Sequence, residues 1–321
     1  MTKKNLIIQS GTSPDDPLAV FIMGPTATGK TDLAIALAEL YPMDIISVDS
    51  AMVYRGMDIG SAKPDAATLQ AAPHRLIDIC DPAEAYSAGR FRDDAMREMA
   101  DITVRGRIPL LVGGTMLYFR ALQQGIADLP DADPEIRRRL SAEAKQHGWN
   151  ALHRRLTEID PESARRIHAN DPQRIQRALE VFEISGQTLT EFWRQQSRQR
   201  LPYRVLKIAL MPPDRVELRK RIAQRFDTML HQGLVDEVRR LYLRGDLTAN
   251  MPSMRAVGYR QVWEWLEGRA EIGMMRDRAI NATAQLAKRQ MTWMRSEQDC
   301  NLIDPGDVES LQALKNSGFL L

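Results

Sequence analysis

The chain has 321 residues, 44% of them hydrophobic and 27% charged, with a formal net charge of +2. At roughly 150 residues per domain this length allows about two compact units, and the composition is ordinary for globular proteins, which excludes disordered, collagenous and coiled-coil classes. The longest uninterrupted apolar run, Leu18–Met23, is far short of the roughly 18 residues that a membrane-spanning helix needs.

From the N-terminus, residues 1–17 carry Gly11, Ser13, Pro14, Asp15, Asp16 and Pro17 and read as a flexible tail. Lys3 and Lys4 are followed by polar sequence rather than the apolar stretch of a secretory signal, so a cytoplasmic location and no membrane partner are expected. From Leu18 onward short apolar runs alternate with amphipathic stretches. Strands are predicted at residues 18–23, 44–48, 75–79 and 108–112, with helices from Lys30 and over residues 87–105. Continuous apolar strands, each followed by a helix, imply a parallel sheet covered on both faces, an α/β doubly wound fold. After residues 128–134, rich in proline and aspartate, the strands stop and arginine-rich helical sequence runs to about Gln199. Residues 205–211 are apolar again and read as one more strand of the same sheet. The expected organisation is a tail, a core formed by residues 18–130 and 203–321, and an all-helical insertion over 131–202. A plain tandem of two domains is the other arrangement this pattern allows.

Charge is spread unevenly. Residues 1–130 hold 12 Lys and Arg against 16 Asp and Glu, whereas residues 137–225 hold 20 against 10, and 17 of those 20 are arginine. A guanidinium fork fits phosphate oxygens in pairs, so a polyanion partner is one reading; solvated, salt-bridged helices are the other. Cys80 and Cys300 belong to no CxxC or Cys/His cluster, and His74, His147, His153, His168 and His231 show no metal-ligand spacing. Neither a disulfide framework nor a zinc site is expected.

The strongest local signal is Gly24-Pro25-Thr26-Ala27-Thr28-Gly29-Lys30-Thr31, which fits G-x-x-x-x-G-K-[ST] between a strand and a helix. Glycines let the backbone curl so that successive N–H groups face one anion, and the helix N-terminus adds its positive end. Lys30 supplies a cation and Thr31 a hydroxyl for Mg²⁺. ATP is the usual ligand of such a loop, but any diphosphate satisfies the same donors. Kinases of this architecture commonly carry a second strand ending in a metal-holding Asp. Here the strand at 108–112 runs into Gly113-Gly114-Thr115 instead. The carboxylate nearest a strand end is Asp49, on the crevice side of a doubly wound sheet, and reads as a metal ligand or general base, or else as a turn cap for Ser50 and Ala51.

Taken together, that loop, the run Asp49-Ser50-Ala51-Met52-Val53-Tyr54-Arg55 and the run Gly113-Gly114-Thr115-Met116-Leu117-Tyr118 closely resemble the tRNA dimethylallyltransferase family. Three later segments match it in order: Asp171-Pro172-Gln173-Arg174-Ile175-Gln176-Arg177, then Arg255-Ala256-Val257-Gly258-Tyr259-Arg260-Gln261, then residues 285–295. The resemblance covers roughly residues 18–295; Met52 departs from the glutamine frequent there. It implies a P-loop core with a helical insertion contacting tRNA; a monomer is expected, although the sequence does not itself give the oligomeric state. It implies transfer of a dimethylallyl group from dimethylallyl diphosphate to the N6 amine of the adenosine immediately 3′ to the anticodon, with pyrophosphate released and Mg²⁺ as cofactor. By the same resemblance Gly24, Pro25, Thr26, Ala27, Thr28, Gly29, Lys30 and Thr31 would hold the diphosphate, Thr31 the metal, and Asp49 the amine of a flipped-out adenine. Contacts to the tRNA anticodon stem-loop would come from Asp49, Ser50, Ala51, Met52, Thr115, Arg137, Gln173, Arg174, Ile175, Gln176, Arg177, Arg255, Ala256, Val257, Gly258, Tyr259, Arg260, Lys288, Arg289, Gln290, Met291, Thr292, Trp293, Met294 and Arg295.

Helical spacing qualifies several of these. Arg174 and Arg177, at i and i+3, can form a phosphate clamp or pair with Asp171 and Glu180. In the last segment Gln285, Lys288, Arg289, Thr292 and Arg295 share one face, while Ile280, Ala284, Ala287, Met291 and Met294 form the opposite, core-facing stripe. Two rival classes remain: a nucleotide kinase or small-molecule prenyltransferase on the same core, and a non-catalytic RNA-binding module, which would have no use for Lys30, Thr31 and Asp49.

Overall fold

The computed structural model describes Ser13, residues 15–195 and 200–307, and Gln312, so most of the predicted tail lies outside the described residues. In chain order the elements are β1 (Leu18–Met23), α1 (Lys30–Leu40), β2 (Met43–Val48), α2 (Ala66–Ala71), β3 (His74–Arg75), α3 (Ala88–Val104), β4 (Ile108–Gly113) and α4 (Met116–Gln124). Five helices follow: α5 (Pro134–His147), α6 (Trp149–Ile159), α7 (Pro161–Arg166), α8 (Pro172–Ser185) and α9 (Leu189–Gln195). The chain then returns through β5 (Arg204–Leu210), α10 (Arg215–His231), α11 (Leu234–Leu243), α12 (Tyr259–Leu266), α13 (Ile272–Arg295) and β6 (Asn301–Ile303). Two compact units result, one of residues 1–123 with 201–321 and one of residues 124–200. Among the described residues no helix is long and apolar enough to cross a membrane.

The first unit is built on a six-stranded sheet in the order β3-β2-β4-β1-β5-β6, parallel throughout. Central β1 shows why a strand here can be apolar at every position. Ala19, Phe21 and Met23 pack on one face against Phe91, Ala95 and Met99 of α3, while Val20 and Ile22 pack on the other against Leu33, Ala34 and Leu37 of α1. Each large side chain so buried stabilises the fold by about 1.5–3 kcal/mol, and a strand covered on both faces has no polar position to alternate with. This is the doubly wound P-loop type of α/β fold that the run pattern predicts.

Two strands differ from expectation. β3 is confined to His74–Arg75 rather than 75–79, because Leu76 (φ 62°) and Asp78 (φ 57°) turn left-handed and end the extended backbone. An apolar Leu-Ile-x-Ile run mimics a strand while the chain turns into a loop. β6 has three residues, too short for any periodicity to announce, yet it completes the edge beside β5, where Asn301 Nδ2 donates to the Lys207 carbonyl (3.0 Å).

The second unit is wholly helical among its described residues, with Leu140, Leu152, Leu156, Ile175, Leu179 and Val181 at its centre. Three of its helices open on Asp-Pro. Asp133, Asp160 and Asp171 each accept backbone N–H bonds at the N-cap while Pro134, Pro161 and Pro172 take the first turn, where no N–H is needed.

Candidate active site

The phosphate loop leaves β1 at Met23 and enters α1 at Lys30. Gly29 sits at the N-cap with φ 78°, a left-handed conformation that favours glycine, and Ala27 is also left-handed at φ 62°. Inside the loop Thr28 Oγ1 donates to the Pro25 carbonyl (2.8 Å), and the Lys30 ammonium donates to the same oxygen (2.7 Å). No side chain caps α1, so its first N–H groups stay available to an anion, in a loop curled around one point.

Two strand ends converge beside it. β2 and β4 run in register up to Val48 and Gly113, and a Cβ on Gly113 would collide with the Val48 carbonyl, so only glycine lets the two ends close up. Asp49 follows directly. Its Oδ1 accepts the N–H groups of Ala51 (2.8 Å) and Met52 (3.3 Å), which fixes the turn and the carboxylate together. Among the described residues Oδ2 accepts no hydrogen bond, so Asp49 caps the turn with one oxygen and keeps the other for a ligand. Across the gap Thr115 Oγ1 accepts the Ser50 N–H (3.1 Å) and donates to Ser50 Oγ (3.4 Å). Thr115 thereby ties β4 to the Asp49 turn. Behind it, Gln290 of α13 donates from Nε2 to the Gly114 carbonyl (2.8 Å), while its Oε1 is buried with no partner among the described residues.

Electrostatics single out two cations. Burial pushes the Lys30 ammonium down to about 8; Asp49 pulls it back up and Arg225 pushes it further down. Arg225, on α10, is itself lowered by burial, with Asp49 and then Asp32 raising it. Lys30, Arg225 and Asp49 therefore share one electrostatic environment, and among the described residues neither cation has an ion pair to a carboxylate. Two half-buried positive charges without a hydrogen-bonded anion are a site prepared for one. Arg225 was missed in the sequence although a signal exists: it lies beside Phe226 on the stripe that carries Leu218 and Ile222 inward, where an arginine has no packing reason to be. Among the described residues no group of three His, Cys, Asp or Glu side chains could hold a metal. Thr31, half-buried at the start of α1, offers a hydroxyl, which suits Mg²⁺ shared with a phosphate rather than caged by protein.

The segment after Asp49 is pinned from behind. Glu237 of α11, 2% exposed, accepts three consecutive backbone N–H groups, from Asp58 (3.0 Å), Ile59 (2.8 Å) and Gly60 (3.1 Å), and the Tyr259 hydroxyl (2.6 Å). That hydroxyl in turn accepts the Ser61 N–H (3.2 Å). Tyr259 is fully buried, so the contact to RNA expected of it is corrected: it supports the loop and does not reach a macromolecule. Burial corrects Gln290, Met291, Met294, Gly258 and Ile175 in the same way, the first three lying on the inward side of α13 and Ile175 in the core of the helical unit. Short motifs contain packing residues as well as contact residues, and only the helical phase separates them.

On the outward side of α13, Gln285, Lys288, Arg289, Thr292 and Arg295 are exposed as the spacing requires. Trp293 is half-buried against the core, with the Arg120 guanidinium 5.6 Å from its ring centre. Arg255 is exposed, Ala256 and Val257 are half-buried, and Arg260 pairs with Glu264 (3.0 Å). Ser50 is exposed; Ala51 and Met52 are half-buried. In the helical unit Gln173 and Arg174 are exposed, the latter 3.3 Å from Asp171, while Arg137 and Arg177 converge on Glu180 and Gln176 bonds the Arg137 carbonyl (2.9 Å). Arg174 and Arg177 thus both adopt the salt-bridged alternative that their spacing allows.

Comparison with known proteins gives a consistent result. The family profile described as IPP transferase matches residues 52–297, and one described as isopentenyl transferase matches residues 18–81. The chain is 60% identical over 283 residues to a tRNA dimethylallyltransferase of Thioalkalivibrio sulfidiphilus, covering 88% of both chains. It is 61% identical over 284 residues to one of Alkalilimnicola ehrlichii, covering 88% of this chain and 89% of that one. Among solved structures it is similar to a tRNA isopentenylpyrophosphate transferase from Bacillus halodurans, with 37% identity, a TM-score of 0.68 and coverage of 94% and 95%. A eukaryotic dimethylallyltransferase acting on tRNA matches with 27% identity and a TM-score of 0.77, over 94% of this chain and 77% of that one.

Proposed function

Since this chain belongs to the IPP transferase family, with tRNA dimethylallyltransferases as relatives, we propose that it moves a dimethylallyl group from dimethylallyl diphosphate onto the N6 amine of the adenosine immediately 3′ to a tRNA anticodon. The observation that carries this reading is the pairing of unneutralised cations, Lys30 and Arg225, with an Asp49 oxygen left free beside them. A diphosphate leaving group and an amine that must shed a proton require that combination.

The loop from Gly24 to Thr31 binds the diphosphate through its backbone N–H groups, and Lys30 and Arg225 stabilise the charge that grows on the departing oxygen. In the transfer, the bond between the allylic carbon and the diphosphate oxygen breaks, the bond from that carbon to N6 forms, and pyrophosphate leaves. Asp49 Oδ2 accepts the N6 proton, with Oδ1 anchored on Ala51 and Met52 keeping the carboxylate in place. Thr31 would hold Mg²⁺ together with diphosphate oxygens, where the ion adds charge neutralisation. An adenine stacked in an anticodon loop has to flip out to present its amine. Ser50, Ala51 and Met52 line its place beside Asp49, with Thr115 tied to Ser50. The exposed face of α13, Lys288, Arg289, Thr292 and Arg295, with Arg255, follows the RNA backbone, and the helical unit contributes Arg137, Gln173, Arg174, Gln176 and Arg177. We place the enzyme in the cytoplasm, acting as a monomer.

The test is incubation of the full chain with Mg²⁺, unmodified tRNA and dimethylallyl diphosphate, followed by nucleoside mass analysis. One dimethylallyl group gained on adenosine is expected, and Asp49→Ala is expected to slow its appearance about 10²- to 10⁴-fold. Unmodified tRNA, with ATP consumed instead on a small acceptor, would replace this reading by the kinase one.

A further inference from the structure

We propose that Glu180 is a positioning residue for RNA binding: its buried carboxylate holds Arg137 and Arg177 in one fixed arrangement, a clamp formed in advance for backbone phosphates. The inference rests on the reading that the acceptor is tRNA. It concerns the helical unit alone, where Glu180 lies on α8, Arg177 one turn before it, and Arg137 on α5.

Glu180 is set apart by its complete burial. Glu180 is 0% exposed and takes four hydrogen bonds. Arg137 forks onto it through Nε (2.8 Å) and Nη2 (3.1 Å), Arg177 Nη1 adds a third bond (2.8 Å), and the Asp133 backbone N–H a fourth (2.9 Å). The Arg177 guanidinium is held a second time, and the backbone of Arg137 is tied to α8. Arg177 Nη2 donates to the Pro130 carbonyl (2.6 Å), and Gln176 Nε2 bonds the Arg137 carbonyl (2.9 Å) and Ser141 Oγ (2.9 Å). A single guanidinium would neutralise one carboxylate; two leave the cluster with a surplus positive charge. The surplus faces outward, since the Arg137 and Arg177 side chains are 45% and 27% exposed although their anchor is sealed. Among the described residues Arg137 Nη1 and Arg177 Nε make no hydrogen bond, so each fork keeps a donor in reserve.

Arg139 and Arg155 likewise share Glu183, whose side chain is 12% exposed, but two other neighbouring arginines behave differently. Arg138 pairs with Glu135 and Arg174 with Asp171 at i, i+3, each arginine about 70% exposed, on carboxylates that are themselves accessible. Such pairs exchange freely with solvent and order little. Arg137 and Arg177 have given up their rotamer freedom during folding, so a phosphate that meets them does not have to freeze two long side chains. That is the physical difference between a cation that is present and one that is placed.

The experiment is a double-mutant cycle on the full chain, reading affinity for an unmodified anticodon stem-loop RNA between about 50 and 200 mM salt. Glu180→Gln is expected to weaken RNA binding about tenfold and to lower the salt slope by about 1, because one phosphate contact is no longer held ready. The loss should fall on the KM for RNA and not on that for dimethylallyl diphosphate. If Glu180 acts through Arg137, the double variant with Arg137→Ala binds no more weakly than Arg137→Ala alone. Wild-type affinity and slope in Glu180→Gln, or additive losses in the double variant, would overturn the proposal in favour of a purely structural bridge. Should Glu180→Gln fail to fold, Arg137→Lys decides instead. Lysine keeps the charge but not the fork, so it should bind RNA as weakly as Arg137→Ala, and full affinity would sink the idea. A wild-type chain that leaves tRNA unmodified would instead bring down the tRNA reading itself.

Discussion

The two units handle positive charge in opposite ways. In the helical unit, Arg137 and Arg177 share one anchoring carboxylate, Glu180, which burial alone would push up but which their guanidiniums and the Asp133 N–H hold below the usual range. At the phosphate loop, Lys30 and Arg225 have no such partner among the described residues, and burial drives both downward. A satisfied charge adds to the stability of the free protein, whereas an unsatisfied one subtracts from it and returns the difference when an anion binds. On the proposed reading the contrast separates cations that guide a macromolecule from cations that stabilise a leaving group, and substitutions at each should fail differently.

The largest effects are expected at the loop. Arg225→Ala and Lys30→Met should each lower kcat for dimethylallyl transfer about 10²- to 10³-fold, the size of loss seen when one preorganised donor to a developing anion is removed. Rapid-quench kinetics with saturating RNA measure it. A change confined to the KM for RNA would place these cations with the guiding group instead.

The pH dependence sharpens the contrast. With Lys30 at about 8 in the free enzyme, the ammonium is charged below that pH and increasingly neutral above it. An anion binds the charged form, so the contribution of Lys30 to pyrophosphate affinity should be fully present below about pH 8 and fall by up to tenfold per unit above it. In stability the sign reverses. The unfolded lysine titrates near 10.5, so between about 8 and 10.5 the unfolded state carries the extra proton and the contribution of Lys30 to free-enzyme stability rises with pH. The thermal shift given by pyrophosphate should therefore be larger at pH 7 than at pH 9.5. Lys30→Arg, which does not titrate in this range, should remove the break.

How much of this is legible in the sequence depends on how local the information is. The phosphate loop is eight contiguous residues and its neighbours are a strand and a helix, so motif and context coincide. Asp49 is legible for the same reason, as the first residue after a strand. Arg225 is not, because it reaches the loop only once β5 has joined β1 and α10 has packed back, 176 positions away from Asp49. Ile175, Tyr259 and Met291 erred in the other direction. They lie within segments that resemble RNA-contacting ones, but the helical phase turns their side chains inward. β3 failed on backbone alone, since nothing in the side chains of Leu76 and Asp78 announces a positive φ.

Smaller effects are expected where packing residues support the site from behind. Tyr259→Phe deletes the hydroxyl that donates to Glu237 and accepts the Ser61 N–H, leaving that amide without its partner. A loss of about 1–3 kcal/mol in unfolding free energy follows, measured by denaturant titration. Because the pinned residues 58–61 continue from the turn that carries Asp49, transfer should slow as well, though less than in Asp49→Ala. Undiminished stability would mean that the three backbone amides on Glu237 hold the loop without the tyrosine.

The smallest effect belongs to Arg174, and it tests the comparison most directly. Its guanidinium is exposed and, among the described residues, pairs with the accessible Asp171 alone, so no buried anchor fixes it. Arg174→Ala should leave thermal stability almost unchanged, since exposed pairs of this kind contribute about 0–1 kcal/mol. It should also weaken RNA binding by no more than a few-fold, with the salt slope reduced by about 1 if the side chain meets a phosphate at all. The anchored Arg137 should cost more than Arg174 although both carry one charge. Equal losses at the two positions would show that charge alone governs the helical unit, and the buried carboxylate would then matter to folding and not to recognition.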